Sequence, residues 1–202
     1  MQSMATGNRV HAPSERKDDL YETPEVAVRA LLKIEPVPLT VWEPACGPGA
    51  IVRVLRASGR SVIATDLVDY ACPDSAAGVD FLMELRAPDG VPAIVTNPPF
   101  KNAEAFVAKA LDLVPEVYML LRLAFLEGER WEIKRDFSAH LARVHVFTPR
   151  LPMMHRAGWS GPINSNSGMP FAWYVFHRDS RRNNGPARIE WCKWREIAKE
   201  AA

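Results

Sequence analysis

The sequence predicts a single α/β domain built on a mainly parallel β-sheet. Apolar runs typical of strands buried on both faces lie at 93–96 and 116–123. Apolar residues at helical spacing occupy 50–57 and 101–114. Strands that alternate with helices favour a parallel sheet with helices packed against it. A length of 202 residues suits one well-buried domain rather than two.

The other elements follow from turn residues and apolar spacing. A helix is predicted to begin near Thr23 and Pro24, with Thr23 as its cap, and to end before Pro36. A charged helix is predicted over 126–137. Further strands are predicted at 39–42, 61–65, 142–147 and 171–176, with a weak alternation at 189–194 before a short polar tail.

Two segments of the chain have no periodic pattern. Residues 1–19 are polar, which predicts a flexible N-terminal arm ahead of a domain over 20–202. Residues 149–170 are rich in Gly, Pro, Asn and Ser, which predicts a long loop. This loop is a candidate substrate-recognition or lid segment. No internal repeat or linker divides the domain.

Composition disfavours several functional classes. A net charge of +1 gives no global basic surface of the kind that marks a dedicated nucleic-acid binder. The chain has no apolar run that could span a bilayer and no secretory signal, so we expect no membrane partner and a cytoplasmic location. The three cysteines, Cys46, Cys72 and Cys192, form no CxxC pair, and we therefore expect no metal site or disulfide framework.

The most informative motif is Asn97-Pro98-Pro99-Phe100, directly after the apolar run 93–96. Each proline restricts the preceding residue to extended backbone and lacks a backbone donor. The motif is therefore a stiff ledge that presents two acceptors, the Asn97 side-chain oxygen and the Pro98 carbonyl, beside an aromatic ring. Such a ledge suits a flat substrate with an exocyclic amine. Two prolines also commonly end a strand, so the motif alone leaves both interpretations open.

A second motif, EPACGPG at 43–49, lies between a predicted strand and a predicted helix. Gly47 and Gly49 permit a tight turn and close approach of a ligand. Pro48 removes a backbone N–H that a pyrophosphate would use, which favours a cofactor without phosphates. Asp66 ends the next strand, where a carboxylate commonly meets ribose hydroxyls. S-adenosyl-L-methionine has that ribose and no phosphate.

The two motifs, in this order, resemble the amino-methyltransferases that include the DNA adenine methyltransferases. Upstream, 21–24 (YETP) resembles a segment that packs over the methionine end of the cofactor in that family. Downstream, 121–128 (LRLAFLEG) and 169–175 (MPFAWYV) resemble small phage- and prophage-type adenine methyltransferases. The resemblance covers roughly residues 20–178.

This resemblance implies a Rossmann-like class I methyltransferase domain with a seven-stranded, mainly parallel sheet and helices on both faces. It implies S-adenosyl-L-methionine as cofactor and methyl transfer to the exocyclic amine of a flipped adenine in DNA, inside a bacterial or phage-infected cell. Related ledges methylate adenine in RNA or the side-chain amide of glutamine in proteins, and both stay open. A non-catalytic nucleic-acid-binding module is the alternative of another class.

The resemblance also implies the site residues. Asp66 would bind ribose hydroxyls, and Asp80, beside Phe81, would contact the adenine of the cofactor. Glu43 would brace the glycine turn. The implied catalytic residues are Asn97, Pro98, Pro99 and Phe100, and the implied cofactor-binding residues are Tyr21, Thr23, Pro24, Glu43, Pro44, Ala45, Gly47, Gly49, Asp66, Leu67, Asp80, Phe81 and Asn97.

Substrate-binding candidates come from outside the two motifs. Arg122 and Phe125 belong to the LRLAFLEG segment, and Arg156 and Trp159 lie in the long loop. About 50 residues separate the two motifs, so we expect no separate target-recognition domain. The expected partner is DNA, with RNA as the alternative. The sequence leaves open whether the protein is a monomer or a homodimer.

Overall fold

One β-sheet organises the chain in the computed structural model, which describes residues 22–127, 137–153, 169–179 and 185–200. Its eight strands are β1 (Thr40–Glu43), β2 (Ser61–Asp66), β3 (Ser75–Ala77), β4 (Ala93–Thr96), β5 (Glu116–Arg122), β6 (Leu141–Phe147), β7 (Phe171–His177) and β8 (Arg188–Cys192). Their spatial order is β3-β2-β1-β4-β5-β7-β6-β8.

The sheet is mainly parallel, as the sequence predicts. Only β7 runs against its neighbours, pairing antiparallel with both β5 and β6. All seven residues of β7 are buried, as expected for a central strand covered on both faces. The carboxyl ends of β1, β2, β4 and β5 therefore meet at one edge of the sheet.

Helices cover both faces of the sheet. They are α1 (Glu25–Ile34), α2 (Ala50–Ala57), α3 (Ala103–Leu113) and α4 (Trp194–Glu200). The buried residues of α1 and α2 form one apolar cluster, against which α4 packs, while those of α3 belong to a second cluster on the opposite face. Among the described residues, no helix is both long and apolar enough to cross a membrane.

The structure departs from the sequence prediction at four places. The sheet has eight strands rather than seven, because the short strand β3 pairs with β2. Thr23 does not cap α1; Pro24 stands at the cap and no side chain bonds the helix end. The predicted polar tail contains α4. Leu123–Leu126 form a 3₁₀ helix, and most of the helix predicted over 126–137 lies outside the described residues.

The chain direction creates a ligand-binding position at the carboxyl edge. The strands after β1 are added on one side (β2, β3) and then on the other (β4, β5). The order therefore reverses between β1 and β4, which leaves a crevice beyond their carboxyl ends. Open α/β sheets bind ligands at this position.

Candidate active site

A cavity of about 320 Å³ opens at this crevice. Its size falls within the roughly 300–1,000 Å³ typical of small-molecule sites. The turn after β1, the end of β2 and the ledge after β4 all contribute to its walls, so the two sequence motifs converge there. The predicted site residues that line it are Thr23, Pro44, Ala45, Gly47, Asp66, Leu67, Asp80, Phe81, Asn97, Pro98 and Pro99.

Some predicted site residues lie elsewhere. Pro24, Glu43, Gly49 and Phe100 do not belong to the cavity lining. Tyr21, Arg156 and Trp159 lie outside the described residues, as do the arm 1–19 and most of the loop 149–170. Phe125 packs edge-on against Tyr174, with ring centroids 5.5 Å apart.

Sequence reasoning missed several lining residues. Cys46 and Pro48 sit inside the recognised turn, Ala50 and Ile51 are in the first turn of α2, and Glu22 belongs to the YETP segment, so a wider reading of those motifs would have included them. The sequence carries no signal for the others, which reach the cavity only through the fold. They are Val68, Tyr70, Val79, Leu82, Asn102 and Phe106.

The glycine turn depends on backbone conformations that favour glycine. Gly47 and Gly49 have φ values of 51° and 87°, in the left-handed region where side chains are disfavoured. A Cβ atom on Gly49 would also lie only 2.7 Å from Cys72 Sγ. Gly49 therefore allows Cys72 to approach the turn closely, while Gly47 lines the cavity itself.

Asp66 links the glycine turn to the end of β2. Its Oδ2 accepts from the Gly47 N–H at 2.9 Å, and its Oδ1 accepts from the Val68 N–H at 3.0 Å. Each carboxylate oxygen can accept more than one hydrogen bond. The carboxylate can therefore hold the turn in place and still accept hydroxyl groups from a ligand in the cavity.

Glu43 braces the turn from below. It is fully buried, and its Oε1 accepts hydrogen bonds from the Thr96 hydroxyl and from the Ala45 N–H. Burial raises the pKa of this carboxyl group well above its ordinary value, because the charged form is removed from water. Glu43 thus contacts the turn and β4 and is not part of the cavity lining.

Asn97 makes a hydrogen bond to Thr23, which lies just before α1. Its Nδ2 donates to Thr23 Oγ1 at 3.1 Å, and Thr23 is buried. In this arrangement the nitrogen end of the amide faces Thr23 Oγ1. Thr23 lies 74 residues before Asn97 in the chain, and this hydrogen bond joins the YETP segment to the ledge.

Phe100 faces the β5 side of the ledge rather than the cavity. The Arg122 guanidinium lies over its ring, 4.1 Å from the centroid, in a cation–π contact. The Phe171 ring packs at a tilt, with centroids 5.5 Å apart. The aromatic face that the sequence predicts for a substrate therefore has a guanidinium and a second aromatic ring around it.

Asp80 and Phe81 also line the cavity. Asp80 Oδ1 accepts from the Leu82 N–H at 3.0 Å and so caps the 3₁₀ helix Phe81–Met83. The buried Phe81 ring packs edge-on against Trp42, with centroids 5.2 Å apart. These contacts fix a carboxylate at the cavity wall on an apolar support.

The cavity lining includes a cysteine, Cys46. Burial raises the pKa of the Cys46 thiol to about 12, so it is not a thiolate nucleophile at neutral pH. Within the described ranges, no group of three His, Cys, Asp or Glu side chains is arranged to hold a metal ion.

Comparison with known proteins relates the chain to others through its fold. No family model matches it, and no curated protein sequence matches it. A protein named as an RNA methyltransferase from Pyrococcus horikoshii superposes with a TM-score of 0.58 at 15% identity, over 83% of this chain and 90% of that one. The chain has the Rossmann-like fold of this protein.

Two further solved structures share this fold. One, named as the modification subunit of a type I restriction enzyme from Vibrio vulnificus, gives a TM-score of 0.56 at 15% identity over 83% of this chain. The present chain spans only 45% of that subunit. The other, named as a hemolysin from Lactococcus lactis, gives 0.55 at 11% identity over 88% of this chain and 96% of that one. At these identities the likeness concerns the fold alone.

Proposed function

We propose that this protein is an S-adenosyl-L-methionine-dependent methyltransferase that modifies the exocyclic amine of adenine in DNA. One observation carries the proposal: Asn97, oriented by Thr23, stands at the wall of a cavity shared with the glycine turn and Asp66. A donor cavity and an amine-binding ledge thus adjoin at the carboxyl edge of the sheet. Fold relatives named as a methyltransferase and as a restriction-modification subunit support the same class.

The cavity fits the cofactor by its chemistry. Gly47 allows close approach of the ligand to the backbone, and Asp66 offers a carboxylate to ribose hydroxyls. Asp80 and the apolar residues around it suit a purine ring with an amino group. When bound there, the cofactor supplies an electrophilic methyl group on a sulfonium.

The ledge residues act by positioning and electrostatics. The Asn97 amide oxygen and the Pro98 carbonyl would accept the two N–H groups of the substrate amine. Both hydrogen bonds withdraw the nitrogen lone pair from conjugation and direct it toward the cavity. Because the two prolines hold these acceptors rigidly, little reorganisation is needed during reaction. No residue has to remove a proton before attack, since the proton leaves after the nitrogen has become cationic.

Asn97→Ala tests the assignment of the ledge. We expect methyl transfer to fall by about 10²-fold or more, as on loss of a preorganised polar contact in other enzymes. Cofactor affinity, measured by calorimetry, should change by only a few fold. Asp66→Ala should give the opposite pattern, with cofactor affinity as the main loss. Near-normal turnover of Asn97→Ala would overturn the assignment.

The substrate class is decided by product identification. Purified protein is incubated with methyl-labelled cofactor and, separately, duplex DNA, single-stranded DNA, RNA or a protein extract. We expect label in DNA, recovered as N6-methyladenine after nuclease digestion. Label in RNA alone, or in glutamine alone, would replace DNA by that substrate. Absence of both label and cofactor binding would favour a non-catalytic nucleic-acid-binding module.

A further inference from the structure

Arg122 lies beside the ledge, on the side away from the cavity. β4 and β5 pair in parallel with Thr96 opposite Met119, so Arg122 stands at the end of β5 beside the ledge. The cavity is on the other side, toward β1 and β2. A molecule whose amine reaches Asn97 from the side away from the cavity would therefore pass Arg122.

The Arg122 guanidinium lies over an aromatic ring, and among the described residues its nitrogens have no polar partner. It stacks over Phe100 at 4.1 Å from the centroid. Its Nε is buried and has no hydrogen-bond partner, and within the part of the chain that the structure describes Arg122 makes no ion pair. Other arginines differ: Arg143 binds Glu35 through two nitrogens, and Arg53 binds Glu22.

This arrangement selects a particular kind of ligand. A guanidinium held over an aromatic ring still presents a planar fork of N–H donors, which matches the oxygens of a phosphate or carboxylate. Leaving the buried Nε–H without an acceptor is unfavourable, so an anion that accepts from it gains more here than at a solvated lysine. An adenine in nucleic acid has a phosphodiester within one nucleotide of the base. A glutamine side chain carries no anion at that position.

We propose that Arg122 binds a backbone phosphate next to the adenine held at the ledge, and thereby makes a nucleic-acid strand, rather than a protein, the substrate. The inference rests on the proposed function, which it makes more specific. Phe100 and Arg122 then form one surface, with the ring near the base and the fork on the phosphate.

The first test measures oligonucleotide binding against salt. A fluorescein-labelled single-stranded oligodeoxynucleotide with one adenine is titrated with wild type, Arg122→Gln and Arg122→Lys, and anisotropy gives the affinity. We expect Arg122→Gln to lower the slope of log affinity against log salt by roughly 0.7–0.9, the value for one lost phosphate contact. Arg122→Lys should keep the slope, because the charge remains.

Arg188→Gln is the matched control. Arg188 begins β8, at the amino edge of the sheet and three strands away from β5, and its side chain is exposed. The variant loses the same charge far from the ledge. Its slope should equal that of wild type. Thermal unfolding of all variants checks that each one is folded.

The second test changes the nucleic acid instead of the protein. Methylphosphonates replace the phosphates around the adenine one at a time, which removes a single negative charge. Wild type should lose affinity at one position, by about the same factor as Arg122→Gln loses on the natural strand. Arg122→Gln should lose little more at that position, because the contact is already absent.

The results separate this proposal from the proposed function. Equal salt slopes in wild type and Arg122→Gln, or additive losses with every methylphosphonate, would overturn the phosphate contact. A fall in turnover without a change in slope would mean that Arg122 only supports Phe100, which also overturns it. Failure to methylate adenine would overturn the proposed function. A salt slope that depends on Arg122 would still support the phosphate site in that case. An acidic peptide that binds with the same affinity as the oligodeoxynucleotide would refute the choice of nucleic acid.

Discussion

Thr96 donates a hydrogen bond to the buried carboxyl group of Glu43, with 2.5 Å between Oγ1 and Oε1. The contact joins the ends of β1 and β4 directly beneath the glycine turn and the ledge. Glu43 also accepts the Ala45 N–H. One buried side chain thus fixes the spacing between the two motifs that form the cavity.

The titration of Glu43 gives a first prediction. In the unfolded chain the Glu43 carboxyl group has its ordinary pKa of 4.5 and releases its proton above that pH. Because burial raises the pKa of Glu43 in the folded protein, the folded state retains this proton to higher pH. Stability must therefore fall as the pH rises from that value toward the folded pKa. Glu43→Gln removes this titration, so the free energy of unfolding of the variant should improve relative to wild type as pH rises. Urea unfolding across this range measures it, and a constant difference would contradict it.

The pair of the buried Glu35 and the partly buried Arg143 gives a second prediction. Arg143 Nη2 donates to Glu35 Oε2 at 2.8 Å, and His145 Nε2 lies 2.6 Å from Glu35 Oε1. Burial raises the pKa of Glu35, but the hydrogen bonds from His145 and Arg143 outweigh it, and the pKa is lowered overall. The stabilisation is therefore complete above the ordinary value of 4.5 and is lost as pH falls through the lowered pKa.

Glu35→Gln should accordingly destabilise the protein by about 2 kcal/mol at neutral pH, since it leaves the partly buried Arg143 guanidinium without its counterion. The loss should shrink in acid, where wild type loses the same charge. Glu25→Gln is the control, because Glu25 and Arg29 form an exposed pair at 3.4 Å, worth less than about 1 kcal/mol. Denaturant unfolding at both pH values measures the two losses. Equal losses at both sites would contradict the prediction.

Two glycines with similar backbone angles separate strain from steric clash. Gly49 and Gly59 have φ values of 87° and 83°, but only Gly49 has a neighbour, Cys72 Sγ, in the way of a Cβ. Gly59→Ala should cost about 1–2 kcal/mol of stability from backbone strain alone. Gly49→Ala should cost more and weaken cofactor binding. Adding Cys72→Ala should recover the excess; if it does not, the clash is not its cause.

Thr23 gives a prediction on catalysis. Thr23→Val keeps the shape of the side chain and removes the acceptor for Asn97 Nδ2. The amide then loses this hydrogen bond, and the single-turnover rate at saturating cofactor should fall by about tenfold or more. Thr23→Ser retains the hydroxyl and should recover most of the rate. An unchanged rate in Thr23→Val would show that Asn97 is held by other contacts.

The sequence predicts those parts of the fold whose local pattern and tertiary environment agree. Both α2 and β4 have the predicted bounds, because each is a dense apolar segment enclosed by turn residues. The strand β3 was missed because Ser75, Ala76 and Ala77 have no strand-like pattern. They form a strand only by pairing with β2 at an exposed position.

The candidate site divides in the same way. The glycine turn and the ledge are visible because Gly permits left-handed backbone and Pro restricts it, and both effects are local to the residue. The contacts that orient them are not visible, since they depend on packing. Asn97 meets Thr23 only because α1 docks on the sheet, where the Trp173 indole donates to the Ala27 carbonyl at 2.8 Å. The position of Phe100 under Arg122 likewise follows from the neighbouring strand β5.

The ledge separates two surfaces at the edge of the sheet, with the cavity toward β1 and β2 and the pair of Phe100 and Arg122 toward β5. Under the proposed function, the donor and the strand would then enter and leave by different routes. Spent cofactor could be exchanged while the strand stays bound. Successive adenines on one molecule could be modified in a single encounter, and product distributions under excess DNA would show this processivity.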